Sequence, residues 1–227
     1  MDLRELLALP GVKEECVLRS EVGVMALHGG AQDRGTDLIA RRVAERSGSS
    51  YYAIIQTGVR VHLTSRHHDP DHSPLLRRFL EHVEIAISVH GFGRDGFELW
   101  LDGARSPVFS LYGPPVRGAQ TGPLTGIIIG GRNAELLRVA RAVFDDRVDG
   151  YRVADERLRL GFHPQNPVNL PRQHGVQIEL PPGLRGIGPL GERPVPDPDD
   201  IPDALLSGLT ELAGEAARIA AASPTPG

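Results

Sequence analysis

The chain has 227 residues, of which 40% are hydrophobic and 24% charged, and a formal net charge of −4. That length suits one domain that buries a sizeable core without staples. The weak acidity argues against a general nucleic-acid binder or a membrane-surface binder. A single cysteine, Cys16, excludes an intrachain disulfide and a cysteine-rich zinc ribbon. The longest apolar runs, such as Ile85–Val89 and Ile127–Ile129, are far shorter than the ~18–20 residues of a membrane span. Met1–Glu5 has no basic stretch leading into an apolar core, so the expectation is a cytoplasmic protein, with release by lysis left open.

Residues 1–20 read as a peripheral lead-in, 21–222 as a single domain and 223–227 as a frayed end. Val22–Leu27 is a short apolar strand that runs into His28-Gly29-Gly30. A helix follows over Asp37–Arg46, with Thr36 as its cap and Gly48 as its stop. Tyr51–Gln56 and Val59–Leu63 read as two further strands. Ser73-Pro74 opens a helix reaching about His82. Glu84–Val89 is a buried strand ending in His90-Gly91, and Phe97–Leu101 is an edge strand. Thr125–Ile129 is a strand, and Asn133 caps a helix running to about Phe144. After a proline-rich loop over 161–174, Gly175–Leu180 is the last strand and Ala204–Ala221 the last helix.

Strands alternate with helices, and most of the strands are continuously apolar. This predicts an α/β fold: one mixed, mostly parallel sheet covered by helices on both faces. Ligands then gather beyond the carboxyl ends of the strands. Two apolar strands end in His-Gly, at His28 and His90, and histidines at neighbouring strand ends can converge. Each also fits a plain hydrogen-bonded strand closure. Asp33 lies in the loop after His28, where a carboxylate can swing back or simply sit at the surface. Two imidazoles and one carboxylate form a three-donor catalytic zinc set. Glu179 shares a strand face with Gln177, placed either as a general base or as an exposed edge residue. His62, His67, His68 and His72 form a dense cluster, but the surrounding prolines suggest a mobile surface loop, so it is not favoured as the primary metal site. His62 follows a strand and can line the pocket.

These motifs resemble the poly-γ-glutamate hydrolase family. The resemblance is carried by Ala26-Leu27-His28-Gly29-Gly30 with Asp33 and Gly35-Thr36, then His62-Leu63-Thr64-Ser65, then Ser88-Val89-His90-Gly91. It continues in Gly130-Gly131-Arg132-Asn133 and in Asn166–Asn169 with Gly175–Leu180. It implies a fold similar to zinc carboxypeptidases and a zinc-dependent amidase with one Zn²⁺ on His28, Asp33 and His90. It also implies Glu179 as the catalytic carboxylate. Asp33 stands where the family carries glutamate, and Leu170 where it carries arginine. The implied substrate is a γ-linked glutamate polymer with a free carboxylate on every residue. A net-negative protein holds such a polymer through local arginines, and Arg132, Arg172 and Arg94 are the candidates, beside His62. Two other readings use the same residues: hydrolysis of a different acidic amide (peptidoglycan-like or N-acyl-amino acid), or binding of acidic polymers without turnover. No nucleic-acid or membrane partner is expected, and the chain is expected to be a monomer or small homo-oligomer.

Overall fold

A computed structural model describes residues 1–92, 98–101, 104–107, 126–153, 161–188 and 191–222. In chain order the elements are α1 (Leu3–Leu7), β1 (Val12–Val17), β2 (Val22–Gly30), α2 (Thr36–Ser47) and β3 (Ser50–Gln56). Next come α3 (Pro74–His82), β4 (Ile85–Gly91), β5 (Glu98–Leu101), β6 (Ala104–Pro107) and β7 (Gly126–Gly131). The chain continues through α4 (Ala134–Arg147), β8 (Arg152–Val153), β9 (Gly175–Leu180) and α5 (Asp203–Ala222).

The continuous apolar runs become inner strands, because a strand buried on both faces has no polar side to alternate with. Seven strands form one sheet in the order β1-β3-β2-β4-β9-β7-β8. The central four, β3, β2, β4 and β9, run parallel. β1 is antiparallel to β3, β7 is antiparallel to β9, and β8 is parallel to β7. The expected mixed, mostly parallel sheet is therefore present. β5 and β6 pair with each other in a separate antiparallel ribbon.

Side-chain alternation divides the core in two. Val22, Val24, Ala26, Ile85, Ile87, Val89, Val176 and Ile178 pack on one face against α2, α4 and α5, through Ile39, Leu136 and Leu205. Met25, Leu27, Tyr52, Ile54 and Ala86 pack on the other face against α1 and α3, through Leu3, Leu6, Leu76 and Phe79. Helices thus cover both faces. Among the described residues, no helix is long and apolar enough to cross a membrane.

Several sequence readings change in detail. Residues 1–20, read as a lead-in, supply an edge strand of the sheet and a helix whose Leu3 and Leu6 are fully buried. Val59–Leu63 is not a strand. The Gln56 side chain occupies the Val61 backbone from both sides: Nε2 donates to the Val61 carbonyl at 2.8 Å, and Oε1 accepts from the Val61 N–H at 2.7 Å. A segment whose backbone is satisfied in this way does not need a neighbouring strand. Thr36 does not cap α2; it lies inside the helix, with its hydroxyl donating to the Asp33 carbonyl at 2.8 Å, while Gly35 holds the cap position. The Ser73 and Asn133 caps are present, accepting from the Leu76 and Leu136 N–H groups.

Phe79 is fully buried, with its ring 5.5 Å from that of Tyr52, and anchors α3 to the sheet. Phe79→Ala is expected to lower the unfolding free energy by about 3–5 kcal/mol in urea titration. A loss below about 1 kcal/mol would show that α3 is not held by this side chain.

Candidate metal centre

β2 and β4 are parallel neighbours, and their carboxyl ends lie side by side. On β4, Ser88 and His90 point away from the α2 face, and on β9 Gln177 and Glu179 do the same, with His90 directly opposite Glu179. Simple alternation along β2 would place His28 with Ala26, on the wrong face. The pairing of β2 with β3 passes from Ala26↔Ala53 to Gly29↔Ile55, three steps against two. One extra residue at Leu27–His28 is a bulge, and a bulge re-aims the side chain that follows it. His28 therefore joins His90 and Glu179.

The three expected donors meet there. His28 Nδ1 lies 3.2 Å from Asp33 Oδ2 and 3.2 Å from His90 Nδ1, and His90 Nδ1 is 3.6 Å from Asp33 Oδ2. All three residues are buried, and their donor atoms lie within 4.8 Å of one another. The other ring nitrogens are occupied from behind. His28 Nε2 is 2.8 Å from the Leu63 carbonyl. A carbonyl only accepts, so Nε2 carries a hydrogen, and Nδ1 is the nitrogen that faces the centre, donating to Asp33 when the ring is charged and offering a lone pair when it is neutral. His90 Nε2 is 2.9 Å from the Ser88 hydroxyl. Support of the far nitrogen is how metal-binding histidines are oriented.

Asp33 is brought back by the loop itself. Its N–H donates to the His28 carbonyl at 2.7 Å, and its Oδ2 accepts from the Gly91 N–H at 3.2 Å. Burial alone would raise the Asp33 pKa, but the hydrogen bonds and charges of His28 and His90 outweigh it and hold the carboxyl well below the usual range. Burial pushes the His28 imidazole down, yet hydrogen bonding and charge from Asp33 leave it above its ordinary value. Among the described residues this is the cluster whose donors fit a cation: two imidazole nitrogens and a carboxylate oxygen.

Glu179 is buried, and burial pushes its carboxyl up. It is held by a relay of amides. Asn166 Nδ2 donates to Gln177 Oε1 at 2.8 Å, and Gln177 Nε2 donates to Glu179 Oε1 at 2.8 Å. The Asn166 contact fixes which end of the Gln177 amide faces the carboxylate.

Of the other predicted residues, His62 does reach the centre: the residue is exposed, and its ring stands edge-on to His28 with centroids 5.1 Å apart. Arg132 and Arg172 do not. Arg132 is exposed, and its backbone N–H donates to the Gly175 carbonyl, because β7 runs antiparallel to β9. Gly175 lies four residues before Glu179, roughly 13 Å at ~3.3 Å per residue. Arg172 is paired with Glu84 at 2.6 Å, beside the start of β4. Arg94 lies outside the described residues. The His62–His72 cluster forms no second metal set among the described residues. His68, read as part of a mobile surface loop, is instead fully buried, with its ring 5.4 Å from that of His28. Sequence reasoning missed Asn166 as a positioning group. It also missed Arg185, a buried guanidinium whose pKa burial lowers to about 10.

Residues 7–110 match the family model of poly-gamma-glutamate hydrolase. The resemblance read from the motifs is borne out over that stretch, which includes His28, Asp33, His62 and His90 and ends before Glu179. The structure of a bacteriophage poly-gamma-glutamate hydrolase superposes with a TM-score of 0.67 at 20% identity, over 96% of this chain and 93% of its own. A zinc-free apo structure of YNDL superposes with a TM-score of 0.61 at 20% identity, over 92% of this chain and 90% of its own. N-formylglutamate amidohydrolase from Ralstonia eutropha JMP134 gives 0.53 at 12% identity, over 94% and 98%. At these identities the superpositions establish the shared α/β fold, and the family match supports a hydrolase. No curated protein matches the chain.

Asp33→Asn removes the charge that holds His28 above its ordinary pKa, and leaves burial as the dominant influence on that ring. In metal-free protein, the His28 imidazole is expected to titrate at lower pH in the variant, read by NMR. An unchanged midpoint would break the electrostatic link between the two side chains.

Proposed function

We propose that the protein is a zinc-dependent amidase that cleaves the γ-glutamyl amide bond of poly-γ-glutamate. The observation that carries this is the meeting of His28 Nδ1, His90 Nδ1 and Asp33 Oδ2 at one buried point, one strand away from Glu179. Two neutral nitrogens and one carboxylate would hold Zn²⁺ and leave a coordination position open for catalysis. Bound there, a zinc ion would supply Lewis acidity toward the amide carbonyl and toward water.

The chain's own groups provide the proton traffic. Glu179, raised by burial and fixed by Gln177, takes a proton from the attacking water at its carboxylate and passes it to the departing amine. His62 stands at the margin of the centre, beside the His28 ring, where it is placed to meet the substrate. The backbone of β4 and the Asp33 loop keep the donors in place. Support for the γ-glutamyl substrate comes from the family match over 7–110.

The test is zinc content and turnover in one series. Wild type is expected to retain one zinc through dialysis, and His90→Ala to lose it. Glu179→Gln is expected to keep zinc while turnover of poly-γ-glutamate, read as released amine, falls by about 10²–10⁴. Zinc retained equally by wild type and His90→Ala would overturn the ligand set, and near-normal turnover in Glu179→Gln would remove Glu179 from the reaction. Cleavage of N-acyl-glutamate or peptidoglycan-type amides in place of the polymer would move the substrate assignment.

A further inference from the structure

Arg185 follows the short helical turn Pro182–Leu184, just beyond β9, and is 2% exposed. Burying a guanidinium is costly, and hydrogen bonds from its Nη groups offset that cost. Its Nη1 donates to the Arg34 carbonyl at 2.8 Å and its Nη2 to the Phe92 carbonyl at 2.6 Å. Arg34 is the residue after Asp33, and Phe92 lies two residues after His90. One planar fork therefore grips the backbone just past two of the three donors.

The packing is equally specific. A Cβ added to Gly91 would lie 2.5 Å from the Arg185 guanidinium carbon, and a Cβ added to Gly35 would lie 2.3 Å from the Arg185 carbonyl oxygen. Both loops thus carry a glycine where they pass this residue. Gly35 is further fixed by its φ of 87°, which side chains rarely adopt. The Nε of Arg185 has no hydrogen-bond partner among the described residues.

We propose that Arg185 is a positioning residue of the metal centre: its fork ties the Asp33 loop to the end of the His90 strand and so fixes the separation of the donors. This rests on the metal site of the proposed function. Lysine cannot substitute, because one ammonium on a flexible stem does not span two carbonyls in a plane. Without the fork the three donors keep their identities but lose their spacing. Outer support of this kind is worth about 10–100-fold in metal affinity.

The test uses the full chain as wild type, Arg185→Lys and Arg185→Met, with folding checked by circular dichroism. Zinc affinity is read by competition with a chelator, and donor geometry by the visible spectrum of the cobalt(II) form. Both variants are expected to bind zinc about 10–100-fold more weakly and to show an altered cobalt spectrum. A folded variant with wild-type zinc affinity and spectrum overturns the proposal. Wild type that takes up no zinc overturns the metal reading itself, so the two failures are told apart. If neither variant folds, the wild type still decides. Its Arg185 Nε–H signal in a nitrogen-15 NMR spectrum is expected to shift when zinc is added, and an unmoved signal overturns the proposal.

Discussion

Two imidazole nitrogens 3.2 Å apart, with a carboxylate oxygen on the same point, form an arrangement that needs a cation. With the His28 Nε2 hydrogen committed to the Leu63 carbonyl, the inner nitrogen of the neutral ring has a lone pair to offer. Either a proton or a metal must sit among these atoms for them to stay together in a buried place. Much of the surrounding structure serves that meeting. The Asp33 loop returns to β2 through its own N–H, the Gly91 N–H holds the carboxylate, and the segment after β3 carries Leu63 over the back of His28.

The sheet makes the meeting affordable. Three parallel strands, β2, β4 and β9, end together, so His28, His90 and Glu179 start from adjacent positions although 151 residues separate the first from the last, counting from 28 to 179. Apolar layers on both faces hold those strand ends rigid, with α2, α4 and α5 on one side and α1 and α3 on the other. Around Glu179 the buried polar groups satisfy one another. Asn166, Gln177 and Glu179 form a chain in which each amide has a defined direction, and such networks specify one arrangement when every member is paired.

The fold was largely legible from residue patterns, because apolar runs bounded by glycine and polar caps mark strands and helices locally. β9 appears over the residues expected, and α3 begins at the Ser73-Pro74 signal. Val59–Leu63 has the apolar look of a strand, but the side chain of Gln56 takes its backbone bonds, and no local pattern announces that. His28, Asp33 and His90 were legible because each stands at a strand end or in the loop after it. The exposed arginines were harder. Arg132 follows a glycine pair at a strand end, but β7 runs opposite to β9, and strand direction is not written in five residues. Arg185 escaped notice because a single arginine in a stretch rich in glycine and proline looks solvated. Its burial depends on carbonyls from residues 34 and 92, far away in sequence.

The added residue between Ala26 and Gly29 has an implication for how such a site is gained or lost. Strand faces are a matter of odd and even counting, so the placement of His28 depends on chain length as much as on the histidine itself. Straightening that short stretch at its present length would let strict alternation run on from Ala26 and turn the imidazole to the α2 side while leaving every ligand codon intact. Descendants of such a chain could keep the whole motif in letters and yet be mute in chemistry. Comparing sequences by residue identity alone would not reveal the change.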